Sequence, residues 1–329
     1  MKKKSEFSSK KVSELKIKNK KKSEKVIQPK KNNDFFGNQE IKQDLQSFYN
    51  TEAKKYAETR KKFWHEEKAI LDAISPLFSA FKQPLSPQQA EQASDSSPNR
   101  EQKLPLCEER RTACSGEVVK KLRILEFWCG SGRFASLLNQ QFPWQFDYVW
   151  IDLSDELLSY ASKDNPNLTF FQWDITKLVK NFEQESFDLI VWTSSFQHIP
   201  TAKERSFLMK NFYRLLGYDG MLLMTNWSLS SWFVKKNWKA VWNARLKSRL
   251  KLNSSLARDI MVPRTDKDGK VYERFYHFFS LRELESLAIF SGLSLKVNTF
   301  IDSDGNFTNN EKISRSSLLI ARKTPIINM

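Results

Sequence analysis

The chain has 329 residues, of which 40% are hydrophobic and 28% charged, and its formal net charge at pH 7 is +16. A chain of this length can bury a large core, and no apolar run approaches the length of a membrane span, so we expect one large domain with appendages and no membrane partner. The basic N-terminus lacks the apolar stretch of a secretory signal. Three cysteines without metal-ligand spacing favour a reducing compartment, so we expect a cytoplasmic protein that binds no metal.

Much of the positive charge lies in the N-terminal tail. Residues 1–34 hold thirteen lysines against four acidic residues, which leaves +7 for the remaining 295 residues. A lysine-rich segment with almost no apolar periodicity cannot offset its ordering entropy, so we expect the tail to be disordered. Composition leaves two interpretations open: an arm that contacts RNA phosphates, and a solvated tail without a specific partner.

The next two segments differ in periodicity. Apolar residues recur at helical spacing within 35–83, which predicts a helical extension of one or two amphipathic helices that pack on the sheet or cover a ligand. Residues 84–118 are rich in Pro, Ser, Gln and charge, which is typical of a long flexible loop.

From residue 119 to 325, strand and helix patterns alternate, with an insert at 228–280. This alternation predicts an α/β, Rossmann-like domain with a mostly parallel sheet and a C-terminal antiparallel hairpin at its edge. Strands are predicted at 122–127, 147–152, 168–172, 187–192, 220–226, 293–301 and 314–322, and helices at 133–141, 154–163, 202–216 and 281–291.

A glycine turn follows the first strand. Gly130 and Gly132 let the backbone bend sharply and approach a ligand where a Cβ would collide, and a helix begins at about Arg133. Asp152 ends the second strand twenty residues after Gly132, where a carboxylate can accept hydrogen bonds from ribose hydroxyls; capping of the next helix is the alternative. Asp174 ends the third strand, near an expected adenine amino group.

A dinucleotide-binding enzyme also fits this pattern and must be weighed. Glu126, inside the end of the first strand, argues against it, because a carboxylate there could meet a cationic methionine moiety but would repel a pyrophosphate. The antiparallel final hairpin is also foreign to a simple dinucleotide domain.

These segments resemble the class I S-adenosylmethionine-dependent methyltransferases. The resemblance rests on Glu126-Phe-Trp-Cys-Gly-Ser-Gly132, Trp150-Ile-Asp152-Leu-Ser154, Asp174-Ile and Phe187-Asp188-Leu-Ile. It implies S-adenosylmethionine as cofactor, held by Glu126, Trp128, Cys129, Gly130, Gly132, Asp152, Leu153, Asp174 and Ile175.

Flanking segments are similar to the tRNA methyltransferases that esterify carboxymethyl groups on wobble uridine. The matches are Thr59-Arg60-Lys-Lys-Phe-Trp64 upstream and Asp259-Ile-Met-Val-Pro263, Arg274-Phe-Tyr276-His277 and Glu283-Leu284 downstream. This resemblance implies catalytic roles for Arg274, Tyr276 and His277, acceptor binding by Arg60, His198, Arg274 and His277, and a tRNA anticodon loop as partner. It leaves a small activating protein open.

The residues themselves allow a plainer interpretation of the same segment. If Tyr272–Phe279 is extended, Arg274 and Tyr276 share one face while His277 takes the other. Without the resemblance, a partly buried aromatic strand with a structural histidine would be favoured. His198 likewise lies either at the pocket mouth or at a helix cap. In the insert, basic residues alternate with tryptophans from Ser230 to Leu252, which fits an RNA-facing helix or an amphipathic lid.

Tryptophan usage is anomalous, with ten Trp and only nine Gly. Trp128, Trp150 and Trp173 stand where the resemblance expects or readily accepts glycine, and Trp192 could join them. Our hypothesis is that UGA codons meaning glycine were translated as tryptophan, whereas Trp64 and Trp227 match aromatic positions and should be genuine. A bulky indole at 128 should block the cofactor pocket.

The expected function is therefore methyl transfer from S-adenosylmethionine to the carboxylate of a wobble uridine in tRNA. Two alternatives stay open. A methyltransferase acting on a quinone or lipid precursor would use the same core without the basic arm. A non-catalytic RNA-binding module becomes preferable if Trp128 is genuine.

Overall fold

In a computed structural model of the protein, residues 39–60, 64–80, 121–143, 145–174, 179–250, 257–266 and 268–324 are described. All of these residues belong to one structural unit, Phe36–Met329. The predicted basic tail and the predicted loop at 84–118 lie outside the described residues.

An eight-stranded sheet forms the centre of the fold, in the order β3-β2-β1-β4-β5-β10-β8-β9. The first five strands run parallel, and β10 runs antiparallel to both β5 and β8, as predicted for the closing hairpin. Its strands are β1 (Leu122–Phe127), β2 (Phe146–Asp152), β3 (Phe170–Gln172), β4 (Phe187–Thr193), β5 (Leu216–Trp227), β8 (Ser294–Asp302), β9 (Phe307–Thr308) and β10 (Ser314–Arg322).

A separate two-stranded hairpin, β6 (Asp259–Thr265) and β7 (Val271–His277), lies within the insert. Only the second of these strands was anticipated. Pro263 interrupts the pattern of the first, and proline is tolerated in a hairpin edge but weakens a strand prediction.

Helices flank the sheet and the hairpin, and four of them begin at a serine or threonine whose hydroxyl accepts a backbone amide of the first turn, which fixes where each helix starts. The helices are α1 (Gln39–Thr51), α2 (Ala53–Arg60), α3 (Glu67–Ala80), α4 (Arg133–Gln141), α5 (Asp155–Asp164), α6 (Ala202–Leu215), α7 (Ser231–Lys236), α8 (Trp238–Leu250) and α9 (Leu281–Phe290).

The N-terminal extension contains three described helices instead of the predicted one or two. They divide because they pack on different surfaces: α1 contacts β7 and α5, whereas α3 contributes Ile70, Ile74 and Phe78 to the core. No described helix is long and apolar enough to cross a membrane.

Buried apolar side chains form two layers against the sheet and a smaller cluster under the hairpin. The parallel order reverses between β1 and β4, so the carboxyl ends of these strands open a crevice where open α/β sheets bind ligands. The fold is therefore the predicted α/β, Rossmann-like class, and it brings the glycine turn to this crevice.

Candidate cofactor and acceptor site

The turn after β1 adopts the left-handed backbone that its glycines allow. Gly130 has φ 57° and Gly132 has φ 76°, and a Cβ on Gly132 would lie 3.0 Å from the Cβ of Ala161. The Gly130 amide donates to a carboxylate oxygen of Asp152 at 2.8 Å. The sequence thus placed the bend and the acidic residue correctly relative to each other.

Trp128 has the same left-handed backbone as these two glycines, although it carries a large side chain. Its φ is 52°, a left-handed conformation that favours glycine and is an outlier for a bulky side chain. The indole is buried and lines the crevice, whose remaining cavity is only about 40 Å³. Pockets for small ligands usually measure about 300–1,000 Å³. With tryptophan at 128 the pocket does not fit an adenosyl cofactor, although the rest of the turn does.

The buried indoles differ in how their N–H groups are satisfied. Among the described residues, the indole nitrogens of Trp128 and Trp192 have no hydrogen-bond partner, whereas that of Trp64 donates to Glu66. A buried donor without an acceptor costs free energy. This contrast agrees with the recoding hypothesis at Trp128, taken as a misread glycine, and at Trp64, taken as a genuine tryptophan.

Asp152 lies in the crevice between the glycine turn and α5. Its second carboxylate oxygen accepts the Ser154 amide at 2.9 Å. Burial raises the pKa of Asp152 to about 6, against the lowering effect of these backbone hydrogen bonds. Leu153, the next residue, also lines the crevice. Asp152 therefore holds the turn against β2 as well as facing the cofactor position.

Glu126 is almost fully buried on β1, where Tyr148 and Thr193 donate to its carboxylate at 3.3 and 3.4 Å. Burial raises the pKa of Glu126 to about 8, because desolvation outweighs these hydrogen bonds. No described cation pairs with it. A carboxylate of this kind would be stabilised by a cationic ligand group nearby.

Two other predicted cofactor residues, Asp174 and Cys129, do not line the crevice. Asp174 forms a 3.9 Å ion pair with Lys42 of α1 and does not line the cavity. Cys129 is buried in the core, and burial raises the pKa of its thiol. Ile175 lies outside the described residues. Contact of these three with a cofactor stays a prediction.

Arg274 is the central residue of the acceptor side. Its side chain is buried, with 8% exposed, and its guanidinium lies over the rings of Phe48, Tyr49 and Tyr276 at 4.8, 5.3 and 5.1 Å. It donates to the hydroxyls of Tyr49 and Tyr276, but its Nε has no partner. No carboxylate of the described residues lies within 4.0 Å of it, so the cation has no counter-ion in this part of the chain.

Tyr49 and His198 join this cation to the crevice, since both line the cavity. Burial raises the pKa of the Tyr49 hydroxyl although Arg274 lowers it, so the phenol stays neutral. Burial, and next the charge of Arg274, lower the pKa of His198 to about 3. His198 Nδ1 lies 2.7 Å from the carbonyl oxygen of Phe275. A neutral phenol and a neutral imidazole thus add no negative charge beside Arg274.

In the sequence, Tyr49 is one of the apolar residues at helical spacing within 35–83, and this pattern predicts only a helix position. Its role depends on α1 packing against β7, a contact between elements more than two hundred residues apart. An aromatic on a helical face gives no local signal of such a contact.

His277 takes the opposite face of β7, as the extended strand predicted. Its Nδ1 lies 2.5 Å from Asp259 and its Nε2 lies 2.8 Å from Glu283, and Arg205 approaches Glu283 at 3.9 Å. Both ring nitrogens are therefore engaged by carboxylates that join the hairpin to α9. A catalytic role for His277 stays a prediction of the resemblance.

Arg60 lies in a different cavity of about 480 Å³, beside α4. Its guanidinium stacks on Tyr56 at 4.6 Å, and the ring of Tyr56 also lines the crevice. The structure thus brings together Trp128, Asp152 and His198 at the crevice, with Arg274 behind Tyr49, and sets Arg60 and His277 apart.

No cluster of His, Cys, Asp and Glu among the described residues could hold a metal ion.

Comparison with known proteins supports the class of the central domain. Residues 124–220 match the family model described as "Methyltransferase domain". Together with the strand order and the glycine turn, this match defines a class I, S-adenosylmethionine-dependent methyltransferase domain.

The curated relatives are described as malonyl-[acyl-carrier protein] O-methyltransferases. The chain is 26% identical to the one from Ilyobacter polytropus over 200 residues, which is 60% of this chain and 69% of that protein. It is 31% identical to the one from Paenibacillus sp. over 97 residues, or 28% of this chain and 35% of that protein. The solved DhpI-SAM-HEP complex is 15% identical, covers 87% of this chain and 98% of its own, and has a TM-score of 0.49.

Proposed function

We propose that the protein, with glycine in place of Trp128, transfers a methyl group from S-adenosylmethionine to a carboxylate, forming a methyl ester. The observation that carries this proposal is Arg274, a buried cation without a carboxylate partner in the described part of the chain. Burying an unpaired charge is costly, and an anionic acceptor would compensate it. The cofactor supplies the methyl group on a sulfonium.

The residues of this chain would act chiefly by positioning. A carboxylate is already ionised at neutral pH, so the transfer needs alignment of the acceptor oxygen more than a general base. Arg274 would orient the acceptor, while the rings of Phe48, Tyr49 and Tyr276 exclude water from it. His198, neutral through its low pKa, would add no competing charge.

For the acceptor we propose a carboxymethyl-type wobble uridine in tRNA. The flanking motifs that contain Thr59-Arg60 and Arg274-Phe-Tyr276-His277 support this choice, as does the basic helix α8. Aromatic rings beside a guanidinium suit a splayed, anionic nucleoside.

A malonyl thioester on an acyl carrier protein is the second candidate acceptor. The names of the curated relatives favour it, and the chemistry at the carboxylate would be the same. The match covers 69% of the Ilyobacter protein and 35% of the Paenibacillus protein. The substrate in a relative's name therefore does not identify the acceptor of this chain.

The test offers both acceptors to one enzyme. Mass spectrometry of the native protein first identifies residue 128, and that polypeptide is incubated with S-adenosylmethionine and either carboxymethyl-modified tRNA or malonyl-[acyl-carrier protein]. We expect a methyl ester on the tRNA. A methyl ester on the malonyl thioester alone would replace the tRNA proposal, and no ester on either would overturn carboxylate methylation.

Two variants test the role of the guanidinium. Loss of a charged hydrogen bond costs about 1.5–3 kcal/mol, so Arg274→Gln should lower kcat/KM by about ten- to a hundredfold. Arg282→Gln removes an exposed arginine elsewhere and should leave kcat/KM unchanged.

A further inference from the structure

A second arginine lies beside Arg274 on the same face of the hairpin. In the antiparallel register, Val262 faces Arg274 and Arg264 faces Tyr272. Residues that face each other share one side of the sheet, and positions two apart along a strand point the same way. Arg264 and Arg274 are therefore diagonal neighbours, at about 7–8 Å, within reach of their long side chains.

The two arginines share one unpaired donor each and the lack of a described carboxylate partner. The Nε of each is buried without a hydrogen-bond acceptor, and no described carboxylate lies within 4.0 Å of Arg264 either. Burial lowers the pKa of Arg264, and the charge of Arg274 acts in the same direction. Two like charges with unsatisfied donors, and with no described carboxylate beside them, suit an anionic ligand.

Aromatic side chains from α1 and β7 pack beside this pair. Phe48 packs edge-to-face on Tyr272 with ring centroids 5.7 Å apart, and the Tyr272 hydroxyl lies 3.5 Å from that of Thr51. The hairpin face thus offers two guanidiniums beside flat apolar rings, a combination that suits an anionic, ring-containing ligand.

We propose that Arg264 binds a phosphate ester of the acceptor while Arg274 holds its carboxylate. This inference rests on the proposed carboxylate methylation, and it specifies a nucleotide as the unit recognised. Guanidinium groups match phosphate oxygens in a fork geometry. In a carboxymethyl nucleotide both anions belong to one compact, rigid unit. In an acyl phosphopantetheine a long flexible arm separates them, which two neighbouring arginines would not span.

The test measures binding, so it needs no methyl transfer. Calorimetry compares 5-carboxymethyluridine with its 5′-monophosphate, and malonyl-pantetheine with malonyl-4′-phosphopantetheine. We expect the unaltered protein to bind the uridine monophosphate about tenfold more tightly than the nucleoside, which corresponds to about 1.4 kcal/mol. Arg264→Gln should abolish this preference and leave nucleoside binding unchanged. Arg264→Lys should retain part of it, and Arg282→Gln should retain all of it.

Each outcome has a distinct meaning. A uridine phosphate preference that persists in Arg264→Gln, or that the unaltered protein lacks, would overturn the inference and leave the proposed function standing. A preference confined to the malonyl pair would overturn the nucleotide assignment. If no carboxylate compound binds, the proposed function fails and the inference with it. Thermal denaturation identifies a misfolded variant, in which case Arg264→Lys decides.

Discussion

Residue 128 determines how much room the crevice has for a ligand. Its φ of 52° is the conformation that glycine adopts without cost, and tryptophan there leaves a buried N–H unpaired and a cavity of about 40 Å³. Backbone strain, an unsatisfied donor and lost ligand volume all point to a smaller residue. The anomaly found in the composition therefore has a physical counterpart at one position in the fold.

Trp128→Gly is predicted to create cofactor binding. Removing the indole frees the volume that an adenosyl group needs and relieves the left-handed backbone. Calorimetry should show S-adenosylmethionine binding at least about a hundredfold more tightly to Trp128→Gly than to the tryptophan form, which is about 2.7 kcal/mol.

Trp128→Phe is the matched control, because it keeps an aromatic side chain at a position with positive φ. It should bind the cofactor no better than the tryptophan form. Tight binding by the tryptophan form itself would show that the indole leaves the site open. A UGG codon at position 128 would refute recoding there, whereas UGA would support it.

At the scale of elements, the β6–β7 hairpin carries the acceptor residues on one face and a charged network on the other. Arg274 and Tyr276 face α1, while His277 connects Asp259 with Glu283 at the start of α9. The first face supplies binding and the second fixes the position of the hairpin relative to the core. The alternation of a strand explains why adjacent residues have such different surroundings.

His277→Ala is predicted to destabilise the protein more than it impairs transfer. The substitution leaves two carboxylates without their shared partner, which should lower the free energy of unfolding by about 1–3 kcal/mol in urea titration. The rate constant at saturating acceptor should stay near that of the unaltered protein when folded molecules are compared.

His65→Ala is the control, because His65 is more exposed and, within the described part of the chain, contacts Ser316 at 3.2 Å and Glu66 at 3.8 Å through one ring nitrogen only. It should change both quantities little. Loss of methyl transfer in His277→Ala without loss of stability would instead support the catalytic role implied by the resemblance.

Across the molecule, positive charge is concentrated in residues 1–34 of the sequence and, within the described part of the chain, on two helices of the insert. Helices α7 and α8 together hold six basic residues and no acidic residue in Ser231–Leu250, and three tryptophans there are at least half exposed. Exposed aromatic rings beside cations are typical of surfaces that contact nucleic acid, although an amphipathic lid would share part of this pattern.

Binding of tRNA is predicted to depend on salt through this surface. Each phosphate contact contributes roughly 0.7–0.9 to the slope of log K against log salt, so replacing Lys239, Lys247 and Arg249 together by Gln should reduce the slope by about 2–3. Filter binding or fluorescence anisotropy across a salt series measures it. An unchanged slope would exclude α8 from the contact, and the exposed Arg282→Gln variant shows the effect of a single distant charge.

Local sequence patterns predicted the class of the domain and the position of its cofactor turn. Alternating strand and helix patterns predicted the parallel sheet, and residues 122–127, 133–141 and 314–322 agree with β1, α4 and β10. These features are local, because periodicity, a glycine turn and an acidic strand end leave their signal in neighbouring residues. The glycine spacing likewise predicts glycine at position 128, and the left-handed φ of 52° at Trp128 agrees with that prediction.

The surroundings of the acceptor residues depend instead on long-range contacts in the fold. The pairing of Val262 with Arg274 brings Arg264 beside it, and the packing of α1 on β7 supplies Tyr49 from the far end of the chain. The fold also gives His277 two carboxylate partners. Contacts of this kind depend on strand register and on helix docking across hundreds of residues, and neither leaves a periodic signal in the sequence.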